Sequence, residues 1–574
     1  MTSPANSPGD VLREITRANA TIVEKFLGRL STIGTGDIAA LMRVFASADD
    51  QQLEKLRLVE ERFYRGHMSL WSHLMTPSEG ATIPVTQSDS RFEAPEWRLP
   101  FFRYVQQAYL LNARFLHEIG DLADLEPRAK RRLQFQLRQM ADAMSPNNYA
   151  ATNPEIIKLA AETGGESLAQ GIKLLAGDVA RGRISMTDEQ AFEVGRNLAI
   201  TPGSVVFENE VMQLIQYAAA TAQVYEYPLL IVPPFINKYY ILDLQPENSF
   251  VRFCVERGFS TFIVSWRNIP PELGHLGWDD YIEKGVFSPI EVVKAISGAD
   301  KINALGFCVG GTLLSCALAV MAARKENPVA SLTLLATMLD FSETGDISAY
   351  IDGDFVERAE QDFRETGLMP GSRLASTFAT LRANDLIWHY VINNYLKGRS
   401  PRAFDLLYWN ADGSNLPGRL YAYYLRNLYF ENNLRIAGRL EACGVPLDLG
   451  AIKTPGYIVA TRDDHIVPWQ SAYASAGLLG GPSEFVLGAS GHVAGIVNPA
   501  ARDRRHFWLN SSAAANAAAW FAGAAQQAGS WWKHWAPWLS SRSGKQKPAP
   551  AVPGSRRYPA LEPAPGRYVK EKSI

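Results

Sequence analysis

The sequence predicts an α/β fold, in which a mainly parallel sheet carries an inserted helical cap and follows a mostly helical domain. Three observations carry this. From Pro228 onward, short apolar runs alternate with helix-length segments: LLIVPP, FSTFIVSW, INALGF and ASLTLLAT, then PGYIVAT and SEFVLGAS. Between Asp340 and about Gly450 that texture gives way to aromatic, helix-like stretches such as TFATLRANDLIWHYVINNYLKG and RLYAYYLRNLYFENNLRIAG. Before about residue 200 the apolar residues recur at helical spacing, as in FFRYVQQAYLLNARFLHEIGDL from Phe101, with few strand-like runs.

These textures set the expected boundaries: a helical domain over 1–200, a catalytic domain over 201–540 with an insertion at about 341–450, and a tail over 541–574. Gly34-Thr35-Gly36-Asp37-Ile38-Ala39 superficially matches a dinucleotide fingerprint. What precedes it, TIVEKFLGRLSTI, is helical where that motif needs a strand, so it is read as a decoy. The tail holds eight Lys or Arg, two Glu and six Pro, a composition expected to be extended or mobile. Just before it, GSWWKHWAPW packs four tryptophans into ten residues from Gly529. They fit either the core face of a terminal helix or a surface that docks on apolar material.

Composition excludes several classes. With 47% hydrophobic and 20% charged residues, the 574-residue chain can bury a large core. A net charge of -2 provides no global field for a polyanion, so no nucleic-acid partner is expected. Four cysteines are too few for a disulfide scaffold at this length. The start MTSPANSPGD lacks the apolar core of a signal peptide, and no run of 18 apolar residues occurs. A cytoplasmic protein without a membrane span is the expectation. No HExxH, paired CxxC or P-loop occurs, so neither a metal nor a nucleotide-phosphate site is expected.

The chemistry concentrates in NALGFCVGGTLLSCALAV, Asn303 to Val320. It reads as strand, sharp turn and helix: the nucleophile elbow G-x-S-x-G of α/β hydrolases, with Cys308 in place of serine. In that fold the acid and the histidine follow the nucleophile in chain order. TRDDHIVPW supplies an acid after one strand-like run, and GASGHVAG supplies His492 after the next. Spacing alone leaves Asp463 and Asp464 both open, and His465 is read as structural. Cys254, Cys316 and Cys443 have no partner motif and are expected to be inert thiols. One oxyanion donor should be the N–H of Val309, the residue after the nucleophile. Pro233 and Pro234 have no N–H, so Phe235, with Ile236 next, is the first candidate in the loop after an earlier strand.

Beyond these residues, the chain resembles the class I polyhydroxyalkanoate synthases. The matching stretches are SPNNYAATNPE, TPGSVVFEN, VPPFINKYYILDLQPENSFVR, VSWRN, WDDYIE, INALGFCVGGTLL, LLYWNADGSNLPG, CGVPLDL, DDHIVPW, LGASGHVAG and PAPGRYVK. They run from about Phe101 to the C-terminus. The resemblance implies a Cys308–Asp464–His492 triad, which selects Asp464 over Asp463. It implies polymerisation of (R)-3-hydroxyacyl-CoA, with short acyl chains preferred, on cytoplasmic polyester granules and as a homodimer. No cofactor is implied, since coenzyme A arrives on the substrate and leaves. A Cys-elbow thioesterase or polyester depolymerase is the alternative enzyme, and a non-catalytic granule-coat protein the alternative outside catalysis.

Overall fold

The computed structural model describes residues 49–75, 89–512 and 514–573. The Gly34–Ala39 decoy lies outside them. Packing divides the chain into two units: Met1–Asp188 with Phe378–Arg402, and Glu189–Thr377 with Ala403–Ile574. The insertion expected over 341–450 is therefore shared between the units, and periodicity could not reveal which helices would pair.

In the first unit, α1 (Asp50–Met75), α2 (Pro100–Leu122), α3 (Pro127–Ala143), α4 (Pro154–Glu162) and α5 (Glu166–Arg181) bear out the helical expectation. Proline opens α2, α3 and α4, where its missing N–H costs no helical bond. The Asn153 side chain caps α4 by accepting from the Glu155 and Ile156 N–H groups. Residues 378–402 join this unit through Trp388, Val391 and Tyr395, which pack with Ala143, Leu174 and Leu175. The Tyr395 hydroxyl donates to Asp178 Oδ2 at 2.7 Å, and Lys397 pairs with Glu155 at 2.6 Å.

The second unit is built on an eleven-stranded sheet. In chain order its strands are β1 (Gly203–Glu208), β2 (Met212–Tyr217), β3 (Leu229–Val232), β4 (Thr261–Trp266), β5 (Ile302–Phe307) and β6 (Val329–Leu335). They continue as β7 (Gly456–Thr461), β8 (Ser483–Gly488), β9 (His506–Leu509), β10 (Ala525–Ala528) and β11 (Glu562–Pro563). The six strand-like runs of the sequence become β3 to β8. These form one parallel block in the spatial order β8-β7-β6-β5-β3-β4. Every residue of β3, β4, β5 and β7 is buried, as strands covered on both faces require. Antiparallel strands flank the block, with β9 and β10 beyond β8, and β2, β1 and β11 beyond β4.

The chain leaves β3 toward β4 on one side and later returns to β5 on the other. That reversal opens a crevice beyond the carboxyl ends of β3 and β5, where α/β sheets place their ligands. The tail takes the extended alternative, as short paired strands. Gln546–Pro548 pairs with Gln223–Tyr225, and β11 pairs with β1. Proline bars a helix there, yet it is compatible with an edge strand.

Candidate active site

The crevice is occupied by the elbow. β5 ends at Phe307, Cys308 turns the chain at φ 51° and ψ −130°, and α6 (Val309–Ala323) begins at once. A positive φ on a non-glycine residue stores roughly 1–3 kcal/mol, retained here by the surrounding structure. The Cys308 N–H donates to the Leu335 carbonyl at 2.8 Å, while its own carbonyl accepts from Gly311 at 2.9 Å. Two glycines are steric necessities. A Cβ on Gly306 would lie 2.3 Å from Gly311 Cα, and one on Gly310 would lie 2.4 Å from the Val232 and Pro233 oxygens. The tightness at Gly310 also brings the end of β3 and Pro233 against the start of α6.

Asp464 and His492 come from the loops after β7 and β8. His492 Nδ1 lies 2.7 Å from Asp464 Oδ2. Oδ1 of Asp464 accepts from the Ile466 and Val467 N–H groups at 2.9 and 2.8 Å, and Oδ2 also accepts from Thr461 Oγ1 at 3.1 Å. Neighbouring Asp463 is exposed, so geometry joins the resemblance in selecting Asp464. Cys308 also stands close enough to bear on the charge of His492. Burial opposes charge on His492, but the Asp464 carboxylate and Cys308 outweigh it and push the imidazole up to about 10. Burial likewise works against ionised Asp464, but the His492 charge and the hydrogen bonds win and lower it.

The helix that His492 opens, α7 (His492–Ile496), is braced from behind by the tryptophan-rich segment. Trp531 Nε1 donates to the Gly495 carbonyl at 3.1 Å and Trp532 Nε1 to Ile496 at 2.9 Å. Trp535 donates to Thr333 Oγ1 at 3.0 Å. All three are buried, in the same core cluster as β3 and β5. The docking alternative for this segment is thereby overturned for those three rings: their N–H groups are spent on internal acceptors.

Sequence reasoning missed the aromatic roof. Tyr424 and Tyr429 lie on a π-helical turn, Tyr424–Phe430, a conformation frequent at functional sites. The two rings meet edge-on at 5.1 Å, and Cys308 bears on both hydroxyls. Burial is the first cause that raises both hydroxyls; Cys308 comes next at Tyr429, and at Tyr424 it follows the neighbouring Tyr429. The Phe235 ring packs edge-on to Tyr281 at 5.4 Å and to Tyr424 at 6.5 Å. Phe341 contacts Tyr429 at 5.0 Å. No motif distinguishes these aromatics; only the fold of the insertion collects them. The other cysteines stand apart from this chemistry. Cys254 and Cys316 are buried, and burial raises both thiols and that of half-buried Cys443.

A thiol, an imidazole and a buried carboxylate in series, at a strained turn, can perform acyl transfer through a covalent intermediate. Comparison with known proteins narrows the class. Residues 88–254 match the family model for the poly-beta-hydroxybutyrate polymerase (PhaC) N-terminus, and residues 227–499 that of the alpha/beta hydrolase fold. The poly(3-hydroxyalkanoate) polymerase subunit PhaC of Cupriavidus necator is 50% identical over 522 residues, covering 90% of this chain and 88% of that one. The chain belongs to the poly(3-hydroxyalkanoate) polymerase family. Two further polymerases show lower identity. The Methylorubrum extorquens poly(3-hydroxyalkanoate) polymerase is 38% identical, covering 94% of this chain and 91% of its own. The Rhizobium meliloti subunit PhaC is 37% identical, covering 88% and 84%. Among the described residues, no helix of this polymerase-family chain is long and apolar enough to cross a membrane.

Proposed function

We propose that this chain polymerises (R)-3-hydroxyacyl-CoA into a polyhydroxyalkanoate, releasing coenzyme A through an acyl-Cys308 intermediate. The observation that carries the reading is a cysteine at a strained elbow, close enough to bear on the charge of a histidine whose Nδ1 is locked to a buried carboxylate. His492 takes the Cys308 proton, and the thiolate attacks the thioester carbonyl. The N–H groups of Val309 and of Phe235 or Ile236 receive the oxyanion, each worth roughly 3 kcal/mol of transition-state stabilisation. Collapse expels the coenzyme A thiolate, which takes the proton back from His492. Cysteine suits this step because one thioester is exchanged for another at nearly balanced energy.

Acylation then changes the base. Cys308 is one of the groups that hold His492 protonated, and once its charge is gone the imidazole falls toward neutrality. It can then accept the proton of an incoming 3-hydroxyl, whose oxygen attacks the acyl-Cys308 carbonyl; the acyl C–S bond breaks, the Cys308 thiolate leaves beside the now protonated His492, and an ester is formed. The roof of Tyr424, Tyr429, Phe341 and Phe235 favours this over attack by water, since it excludes solvent from the acyl group. The same crowding favours short acyl chains such as 3-hydroxybutyryl. A growing water-insoluble polyester tethered at Cys308 would keep the enzyme at a granule surface. The test is an assay of coenzyme A release and polymer yield with four-carbon and longer 3-hydroxyacyl-CoA. Insoluble polymer with matching coenzyme A supports synthesis; free hydroxy acid as the product would make the chain a thioesterase.

A further inference from the structure

Close to the loop that carries Phe235 and Ile236 lies a buried ammonium that the chemistry above leaves unused. Lys238 is 2% exposed, a place where a charged amine is found only when it is paired. Its partners come from two distant parts of the chain. Nζ donates to the Glu571 carbonyl at 2.8 Å, and the Asp412 carboxylate is near enough to favour its charge. Asp412 is itself buried. Its Oδ2 accepts from the Tyr240 hydroxyl at 2.9 Å, and its Oδ1 pairs with Lys572 Nζ at 3.2 Å. Lys572 is the outward member, its side chain 61% exposed and lying over the Tyr408 ring. Burial weighs most on Lys238 and is only partly offset by Asp412, which brings the amine down to about 8.

The backbone repeats the pattern. Trp409 Nε1 donates to the Lys238 carbonyl at 2.7 Å, and the Ser414 N–H donates to the Ile236 carbonyl at 3.0 Å. Asn268 Nδ2 donates to the Lys572 carbonyl at 2.7 Å, while its Oδ1 accepts from the Asn415 N–H at 2.8 Å. Three segments, 236–240, 408–415 and 571–572, are thus stitched around one ammonium. A methionine would fill similar space without the desolvation penalty that a buried charge incurs. What the charge adds is direction, because it must keep its carbonyl and carboxylate partners.

We propose that Lys238 is a positioning residue: its ammonium, bonded to the Glu571 carbonyl with the Asp412 carboxylate nearby, fixes the loop that offers the Phe235 and Ile236 amides to the oxyanion. The inference rests on the acyl-transfer reading above. Loosening the loop withdraws stabilisation from the transition state more than from bound substrate, so the loss falls on kcat and spares KM.

Lys572→Ala tests this on the exposed side, where folding is least at risk, with Lys572→Arg as the charge-keeping control and Lys238→Met as the inner variant. Steady-state coenzyme A release and hydrogen exchange of the 233–240 peptide are read together. The expected result for Lys572→Ala is faster exchange in that peptide and a kcat lower by roughly 10-fold, as small misplacement of catalytic groups produces. KM should stay within about twofold if binding is untouched, and Lys572→Arg should restore both readouts. Lys238→Met should go further in the same direction; if it does not fold, Lys572→Ala decides alone. Wild-type exchange in Lys572→Ala would overturn the latch, and faster exchange with unchanged kcat would overturn its link to the reaction. A wild-type chain that releases no coenzyme A would overturn the acyl-transfer reading, while the exchange measurement, which needs no turnover, still decides whether the Lys238 cluster holds the loop.

Discussion

Trp532 donates its indole N–H to the Ile496 carbonyl at 2.9 Å, and Ile496 closes the short helix that begins with His492. A residue some forty positions downstream thereby sets the angle at which the imidazole meets Cys308. Trp532→Phe keeps most of the ring packing and removes the donor. It leaves the Ile496 carbonyl with the Asn498 N–H as its remaining partner, so the loss is that of one hydrogen bond, about 0.5–1.5 kcal/mol. Thermal unfolding should show a lowered midpoint, and kcat should fall at temperatures where the variant is fully folded. An unchanged midpoint and kcat would mean that the brace is idle.

Cys308→Ala should abolish coenzyme A release from 3-hydroxybutyryl-CoA without unfolding the protein, because the thiol is a small part of the crevice wall. Retention of a tenth of wild-type turnover by a folded variant would remove Cys308 as the acyl carrier. Cys308→Ser should keep little activity, since an alcohol is the weaker nucleophile in a site arranged for a thiol.

Asp464→Asn should separate the half-reactions. A thiol yields its proton far more readily than a secondary alcohol, so acylation should partly survive. Attack by the 3-hydroxyl needs an oriented imidazole and a carboxylate to stabilise the imidazolium as it forms. Elongation should slow by roughly 10² to 10⁴-fold, the range of acid–base assistance. Rapid-quench assays should show a burst of coenzyme A of at most about one per site and labelled acyl group on Cys308. Absence of both would move the second-step role elsewhere.

The same pair predicts a pH dependence of stability. His492 is raised to about 10 from its ordinary 6.5, so the folded state holds a proton that the unfolded state releases. That contribution is complete below pH 6.5 and is lost as pH rises through about 10. Asp464 is lowered from 3.8, so its contribution is present above that value and is lost as pH falls below it. Wild type should therefore exceed Asp464→Asn in thermal midpoint most between about pH 4 and 6.5. The gap should narrow on both sides. A difference constant from pH 3 to 11 would contradict the coupling.

The parallel block was legible because β3 to β8 are each a short apolar run, and the elbow because Gly306, Cys308 and Gly310 are spaced as a tight turn demands. The flanking strands were not. β10 is AQQA, exposed along its whole length, and β11 is a Glu-Pro pair; neither carries a hydrophobic signal, because an edge strand can be held by backbone pairing without an apolar face. The partition of the insertion was hidden for another reason. Residues 378–402 and 424–430 both read as aromatic, helix-like sequence, and only the neighbours they meet send one to the helical unit and the other to the unit that holds Cys308. Asp464 could be chosen over Asp463 only by resemblance until its contacts were seen.

The strand pairing of β11 with β1 has a temporal side. Gln213, beside β1, bonds to Glu562 of β11 across 349 residues of sequence. At a synthesis rate of about 5–20 residues per second, roughly 20–70 s pass between the emergence of these two residues. During that interval β1 is an open edge, able to pair with another nascent chain. The β-rich unit thus completes its sheet late in translation, and its folding yield should depend on how quickly that stretch is made or on a holdase that guards β1 meanwhile.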